Sequence, residues 1–169
     1  MDVLEAIFTR RSVRKYTGEP VSEEALQTIL RAGSYAPSAM NRQPWHFVVI
    51  RDRQMLETIP RYQPYTKMLP QAGCCVVVCG DKLRQPLVGF LAEDCSAVIQ
   101  NMLLAAHALG LGAVWCGVYP VSLFTKALTK LLHLPDVIVP IGMVGIGHPA
   151  EQRDTPERFD PARIHSETW

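Results

Sequence analysis

Four cations and a hydroxyl fall within six residues in Arg10-Arg11-Ser12-Val13-Arg14-Lys15, just before Tyr16 and a turn at Gly18. Arginine presents planar forks of donors that suit phosphate oxygens, and Ser12 adds a neutral hydrogen bond. Placed at the end of a helix, the same run also reads as a solvated face that complements the helix C-terminus. Spacing alone leaves both readings open. A second unusual stretch, Ala36-Pro37-Ser38-Ala39-Met40-Asn41-Arg42-Gln43-Pro44-Trp45, joins a helix to a strand. Its prolines fix the local backbone, while Ser38, Asn41 and Gln43 can present oriented donors and acceptors. It is either a plain connection or a binding loop, and ordered links of this length are more often functional.

Other chemistries are less well supported. Gly110-Leu111-Gly112 follows a helix and Gly145-Ile146-Gly147 runs into His148-Pro149. Neither has the strand–turn–helix context of a dinucleotide fingerprint, although Gly117 allows close approach of backbone to a ligand. Cys116 with His46, His107 or His133 would make a Cys–His pair, but no local nucleophile signature supports one. The cysteines, Cys74, Cys75, Cys79, Cys95 and Cys116, are odd in number and lack a C-x-x-C pair. No disulfide framework and no metal site are expected, and the chain fits a reducing cytoplasm. A phosphate grip and a polar loop without an acid–base pair suit a protein whose bound cofactor carries the chemistry.

These residues need elements to hold them. A helix starts at Asp2, which shares a reciprocal cap with Glu5, and Leu4, Ile7 and Phe8 form its apolar stripe. Ser22 caps the next helix, whose buried face is Leu26, Ile29 and Leu30 and whose end is Gly33. Strands are expected at Phe47–Ile50, Cys75–Cys79, Gly112–Val118 and Ile141–Ile146, the last opened by Pro140. Gln54–Ile59 makes one or two helical turns, and Ser122 caps a helix reaching Leu132. The longest helix, Phe90–Leu109, is apolar on nearly every side and belongs in the middle of the fold. Residues 148–169 are polar and Pro-rich yet end on Ile164 and Trp169, which describes a frayed end or an arm docked on something else. Helices and strands mix without regular βαβ alternation, so residues 1–169 read as one α+β domain.

Composition removes several classes. Hydrophobic residues make up 48% and charged residues 20%, as in a soluble globular domain. Seventeen Lys plus Arg against sixteen Asp plus Glu give a net charge of +1. That balance lacks the basic excess of a nucleic-acid binder and the net charge of a disordered chain. The most membrane-like window, Ala97–Val118, is interrupted by Gln100, Asn101, His107 and three glycines. Neither a membrane span nor a secretory leader is expected.

In order along nearly the whole chain, the motifs resemble the FMN-dependent nitroreductase family. Arg10–Tyr16 and Ala36–Trp45 carry the likeness first. Gln100-Asn101-Met102-Leu103-Leu104-Ala105-Ala106, then Gly110-Leu111-Gly112 with Trp115-Cys116-Gly117, and finally Gly145-Ile146-Gly147-His148-Pro149, complete it. The resemblance implies a nitroreductase-like α+β fold: a central, mostly antiparallel sheet flanked by helices, in a homodimer that exchanges C-terminal arms (residues 148–169) and binds FMN at its interface. Arg10, Ser12 and Arg14, with Arg11 nearby, would hold the phosphate and ribityl chain. Pro37, Ser38, Ala39, Met40 and Asn41 would come from the other subunit to the flavin edge. Cys116 and Gly117 would place backbone amides near the ring, and Arg158 would close on the phosphate.

The activity implied is ping-pong transfer of hydride from NADH or NADPH, through the flavin, to a small organic acceptor such as a nitroaromatic or quinone. The alternatives are a flavin-binding protein without turnover and an oxygen-using flavin enzyme of the same fold. The chain is short for the family. Only Gln63–Met68 and Arg84–Phe90 are available to line the substrate side.

Overall fold

Three side-chain oxygens set the starts of three helices. Asp2 accepts the Glu5 amide at the head of α1 (Val3–Thr9), Ser22 the Ala25 amide at α2 (Glu23–Ser34), and Asp52 the Met55 amide at α3 (Arg53–Thr58). Only the Asp2 half of the expected reciprocal cap forms. The computed structural model describes all 169 residues. Between α3 and the second strand the chain runs through three 3-10 turns, Ile59–Arg61, Pro64–Thr66 and Leu69–Gln71, that periodicity did not announce.

Four strands make one antiparallel sheet: β1 (Trp45–Ile50), β2 (Cys74–Asp81), β3 (Gly112–Gly117) and β4 (Ile138–Gly147), in the order β1-β2-β4-β3. The run Cys74–Cys79 is apolar throughout because β2 is covered on both faces. Cys74, Val76 and Val78 pack towards α2 and α4 (Val88–Ala108), while Cys75, Val77 and Cys79 pack towards α3, the 3-10 turns and α5 (Ser122–Leu131). The fold is therefore α+β, with a central antiparallel sheet between helical layers.

Several expectations need correction. Pro140 does not open the last strand but lies inside it, at an irregularity where Val78 faces Gly142 and Cys79 faces Pro140. A bulge tolerates the missing amide there. Gly33 lies in the last turn of α2 instead of ending it. A Cβ there would stand 2.9 Å from the Met102 side chain, so the glycine serves close packing on α4. Ser122 is already helical, because the Val121 carbonyl takes the first helical bonds, from Phe124 and Thr125.

The α1 stripe points outward: within one chain Leu4 is 58% and Phe8 63% exposed, and Ala6 alone is buried. The helix α4 is long and apolar enough to cross a membrane by composition, yet one face packs into the core through residues such as Val98, Ile99 and Met102. It is not enclosed on every side, since Phe90, Glu93 and Ala108 remain exposed.

Candidate functional site

The Arg10–Tyr16 segment is held at both ends. Arg10 ends α1, donating its amide to the Ala6 carbonyl. The chain then runs along the free edge of β3, where Ser12 bridges Ala113 and the Val13 amide donates to the Ala113 carbonyl at 3.0 Å. That approach is close: a Cβ on Gly112 would sit 2.7 Å from Val13 Cγ1. Tyr16 is buried and donates its hydroxyl to the Val13 carbonyl at 2.7 Å, with Gly145 at 3.2 Å. Burial pushes that phenol above its ordinary pKa, so it stays a donor. Beyond Gly147 the tail zips onto the same segment through Thr17 to His148, Ala150 to Lys15, and the Arg14 amide to the Glu151 carboxylate at 2.7 Å.

This anchoring brings Arg158 back to Arg10 and Arg11. The three arginines line a cavity of about 650 Å³ between α1 and the tail. Arg10 Nε is buried there without a hydrogen-bond partner. Burial first, then the charges of Arg158 and Arg11, lowers the Arg10 pKa. The salt bridges of the molecule are His46–Asp81, Arg51–Glu23, Arg153–Glu151 and Arg163–Asp160, so none neutralises Arg10, Arg11, Arg14 or Arg158. Glu157 shares the wall, its carboxylate turned to the Arg158 and Phe159 amides, so three arginines against one carboxylate, with an unsatisfied buried donor among them, form an incomplete anion site. Behind it, the Thr9 hydroxyl gives its proton to the Glu5 carbonyl. His107 Nε2 on α4 shares a hydrogen bond of 2.7 Å with the same hydroxyl.

A second cavity, about 600 Å³, opens beside the end of β3 and includes Arg14, Gln63, Tyr65, Lys67, Trp115 and Gly117 in its wall. Backbone direction alternates along a strand, and Ala113 uses its outward carbonyl on Val13. Trp115 and Gly117 therefore face the free edge, while the Cys116 backbone faces β4. The Gly117 carbonyl is taken by the buried Gln63, whose Nε2 donates at 2.9 Å and whose Oε1 accepts the Tyr65 amide at 2.6 Å. The Cys116 thiol donates to the Tyr65 carbonyl at 3.5 Å, and burial pushes its pKa up to about 11. A thiol so held is no nucleophile near neutrality. No Asp, Glu or His lines the cavity, and Arg14 and Lys67 are its cations.

Pro37, Ser38, Ala39, Met40 and Asn41 lie elsewhere. Met40, Asn41 and Gln43 take left-handed conformations at φ 55°, 53° and 47°, each costing on the order of 1–3 kcal/mol. Met40 is 82% exposed. The loop is tethered at Asp94 of α4, and Thr9, which precedes Arg10, meets the same helix at His107. Thirteen residues at 1.5 Å rise separate those points by about 20 Å. One chain thus brings Arg10, Arg11 and Arg158 together, holds Ser12 on the edge of β3, sets Arg14, Cys116 and Gly117 at a second cavity, and leaves Pro37–Asn41 apart.

Of the two segments expected on the substrate side, Gln63–Met68 lines the cavity beside β3 and Arg84–Phe90 does not, while sequence reasoning gave Trp115 no role beyond its motif and missed Asp94. Asp94 had a signal, as the charge on the apolar stripe of α4. The bond from Gln63 to the Gly117 carbonyl had none, because the two residues are 54 apart.

Comparison with known proteins agrees with this architecture. Residues 7–73 and 64–148 match the sequence model of the nitroreductase family. A protein of Methanothermobacter thermautotrophicus with the provisional name NADH dehydrogenase/NAD(P)H nitroreductase is 48% identical over 169 residues, covering 100% of this chain and 88% of that protein. An FMN reductase [NAD(P)H] of Bacillus subtilis is 29% identical, covering 99% of this chain and 74% of its own. A provisionally assigned nitroreductase of Desulfovibrio desulfuricans, solved in complex with FMN, superposes with TM-score 0.87 at 35% identity, covering 100% of this chain and 98% of that one.

Proposed function

This chain belongs to the nitroreductase family, and from that premise we propose that it is an FMN-dependent NAD(P)H oxidoreductase that reduces small organic acceptors such as nitroaromatics or quinones in a ping-pong cycle. The observation that carries the reading is the unneutralised cluster of Arg10, Arg11 and Arg158 around the orphaned Arg10 Nε, which a phosphate monoester completes. FMN, when bound, supplies the ring that takes hydride from the nicotinamide and returns reducing equivalents to the acceptor.

The protein's own residues hold and polarise. Arg10, Arg11 and Arg158 neutralise the phosphate, and Ser12 and Arg14 serve the ribityl side. Gly117 offers an outward amide at the ring cavity, beside Cys116, and Gln63 fixes the Gly117 carbonyl. Arg14 and Lys67 bring positive charge to that cavity, where it favours negative charge on the reduced cofactor. The aromatic wall of Tyr65 and Trp115 suits planar donors and acceptors taking turns in one open space.

The site is completed in a homodimer, with Pro37–Asn41 delivered by the partner subunit. Two features support this: the loop is about 20 Å along α4 from the arginines, and apolar Leu4, Ile7, Phe8, Ile164 and Trp169 stand exposed in a single chain. Residues 1–169 then act as one domain with 148–169 as the exchanged arm. Five free, buried cysteines suit a reducing cytosol.

The test is anaerobic titration of FMN-loaded protein with NADPH and then NADH, followed by visible absorbance. Bleaching reversed by a quinone or nitroaromatic is expected. Bound flavin that neither nucleotide bleaches marks a binding protein, and failure to load FMN overturns the cofactor assignment.

A further inference from the structure

The buried face of α4 is apolar except at one position. Asp94, 6% exposed, lies among Leu91, Cys95 and Val98 on that face. Its Oδ1 accepts the Ala39 amide at 2.8 Å, and its Oδ2 is buried with no partner at all. For packing alone, an apolar side chain would serve at lower cost than a half-satisfied carboxylate.

What Asp94 grips explains the arrangement. Ala39 heads the turn in which Met40, Asn41 and Gln43 are left-handed. Most of the loop's other bonds are internal: Asn41 to Ser38, Arg42 to Ala39, the Gln43 amide to Ser38 Oγ, and Gln43 Nε2 to Asn41 Oδ1. Arg42 reaches Arg84 and Gln85 only at 3.4 Å. The Asp81 amide holds the far end of the loop by the Pro44 carbonyl at 2.7 Å, so the short, charge-assisted bond accepted by Asp94 is the firm link between the left-handed turn itself and the body of the fold.

We propose that Asp94 is a positioning residue for the reaction: from α4 it clamps the Ser38–Asn41 loop in the left-handed form presented to the cofactor bound largely by the other subunit. The inference rests on the function proposed above. Asp94 touches no reacting atom and acts through the Ala39 amide. Its orphaned oxygen means that the clamp is held at a cost to stability, so removing the charge loosens the loop without loosening the core.

The experiment compares the full-length wild type with Asp94→Asn and Asp94→Leu, by amide hydrogen exchange over residues 38–43, thermal midpoint without FMN, and FMN titration. Leucine fills the volume without an acceptor. It is expected to speed exchange at Ala39–Gln43 about tenfold and to weaken FMN about tenfold, with a midpoint no lower than wild type. Asparagine keeps an acceptor for Ala39 and should stay within about threefold of wild type in both readouts. Unchanged exchange or unchanged FMN affinity in the leucine variant overturns the proposal. So does a lowered midpoint accompanied by equal losses in the asparagine variant, which would reduce Asp94 to a support of α4. A wild type that binds no FMN removes the functional premise instead, and the exchange data still decide whether Asp94 clamps the loop.

Discussion

Removing the Arg10 guanidinium should act with opposite sign on the protein with and without FMN. Without the cofactor, Arg10 faces Arg158 and Arg11, and its Nε is buried without a partner. Arg10→Met keeps much of the aliphatic stem and deletes the repulsion and the unmet donor, so the thermal midpoint should hold or rise. With FMN present, the same change deletes a charge-assisted bond to the phosphate, about 1.5–3 kcal/mol, or roughly 10- to 150-fold in affinity.

The two effects separate in one assay. At free FMN about 100 times Kd, linkage stabilises the wild type by about 2.7 kcal/mol; a variant with ~30-fold weaker binding keeps about 0.9 kcal/mol. For a chain of this size each kcal/mol moves the midpoint by about 2–4 °C. The FMN-induced rise should therefore shrink from about 5–11 °C to about 2–4 °C. Differential scanning at fixed protein concentration, with and without FMN, reads both numbers. A variant whose cofactor-free midpoint falls while its FMN-induced rise stays intact would refute the reasoning, because Arg10 would then be a structural cation with a partner in the fold.

Gly112→Ala should be far from silent: its Cβ would lie 2.7 Å from Val13 Cγ1 and 2.9 Å from Val13 Cβ, so the arginine segment must move off β3. The expected result is about 1–3 kcal/mol of lost stability together with weaker FMN binding, read by denaturant melts and flavin titration. Cys116→Ser should retain turnover within about threefold, since a thiol with a pKa near 11 supplies no thiolate; complete loss of bleaching by NAD(P)H would reinstate the cysteine. Glu151 is held below its ordinary carboxylate value, chiefly by the Arg14 amide and then by Arg153. Its contribution is therefore complete above about pH 4.3 and is lost as pH falls through the folded value. Hydrogen-exchange protection at Thr17 and Ala150, corrected for the intrinsic rate at each pH, should fall on acidification in the wild type but change little in Glu151→Gln, whereas identical acid profiles of protection would exclude Glu151 as the latch.

Local chemistry was legible wherever the cause and its effect lie within a few residues. Ser22 capping Ala25 is three residues of geometry, and the β-branched run of β2 declares a strand without reference to anything distant. The errors lie where a distant element decided. Gly33 looks like a helix end until Met102 arrives against it, and Pro140 looks like a strand start until β2 pairs past it with a shifted register. The apolar stripe of α1 is legible in the sequence yet stands outward in a single chain, because an apolar helix face says that it will be covered, not by what.

The candidate site divides along the same line. Arg10, Arg11 and Arg14 announce themselves because cations crowded in sequence remain crowded in space, and the missing neutraliser is a property of the cluster. Gln63 and Asp94 do not, because each acts on a backbone group 54 or 55 residues away. An amide in a loop and a carboxylate on a helix have no local reason to be there. What identifies them is the mismatch between group and surroundings: a buried amide with both ends engaged, and a buried carboxylate with one oxygen idle. The arginine cluster shows the same mismatch in Arg10 Nε. In this protein the buried side-chain atoms left unpaired, Arg10 Nε and Asp94 Oδ2, sit at the two separated halves of the proposed cofactor site. Those two idle groups fit the proposed reading: an anion would complete the Arg10 end, and the Asp94 end carries the cost of holding the loop.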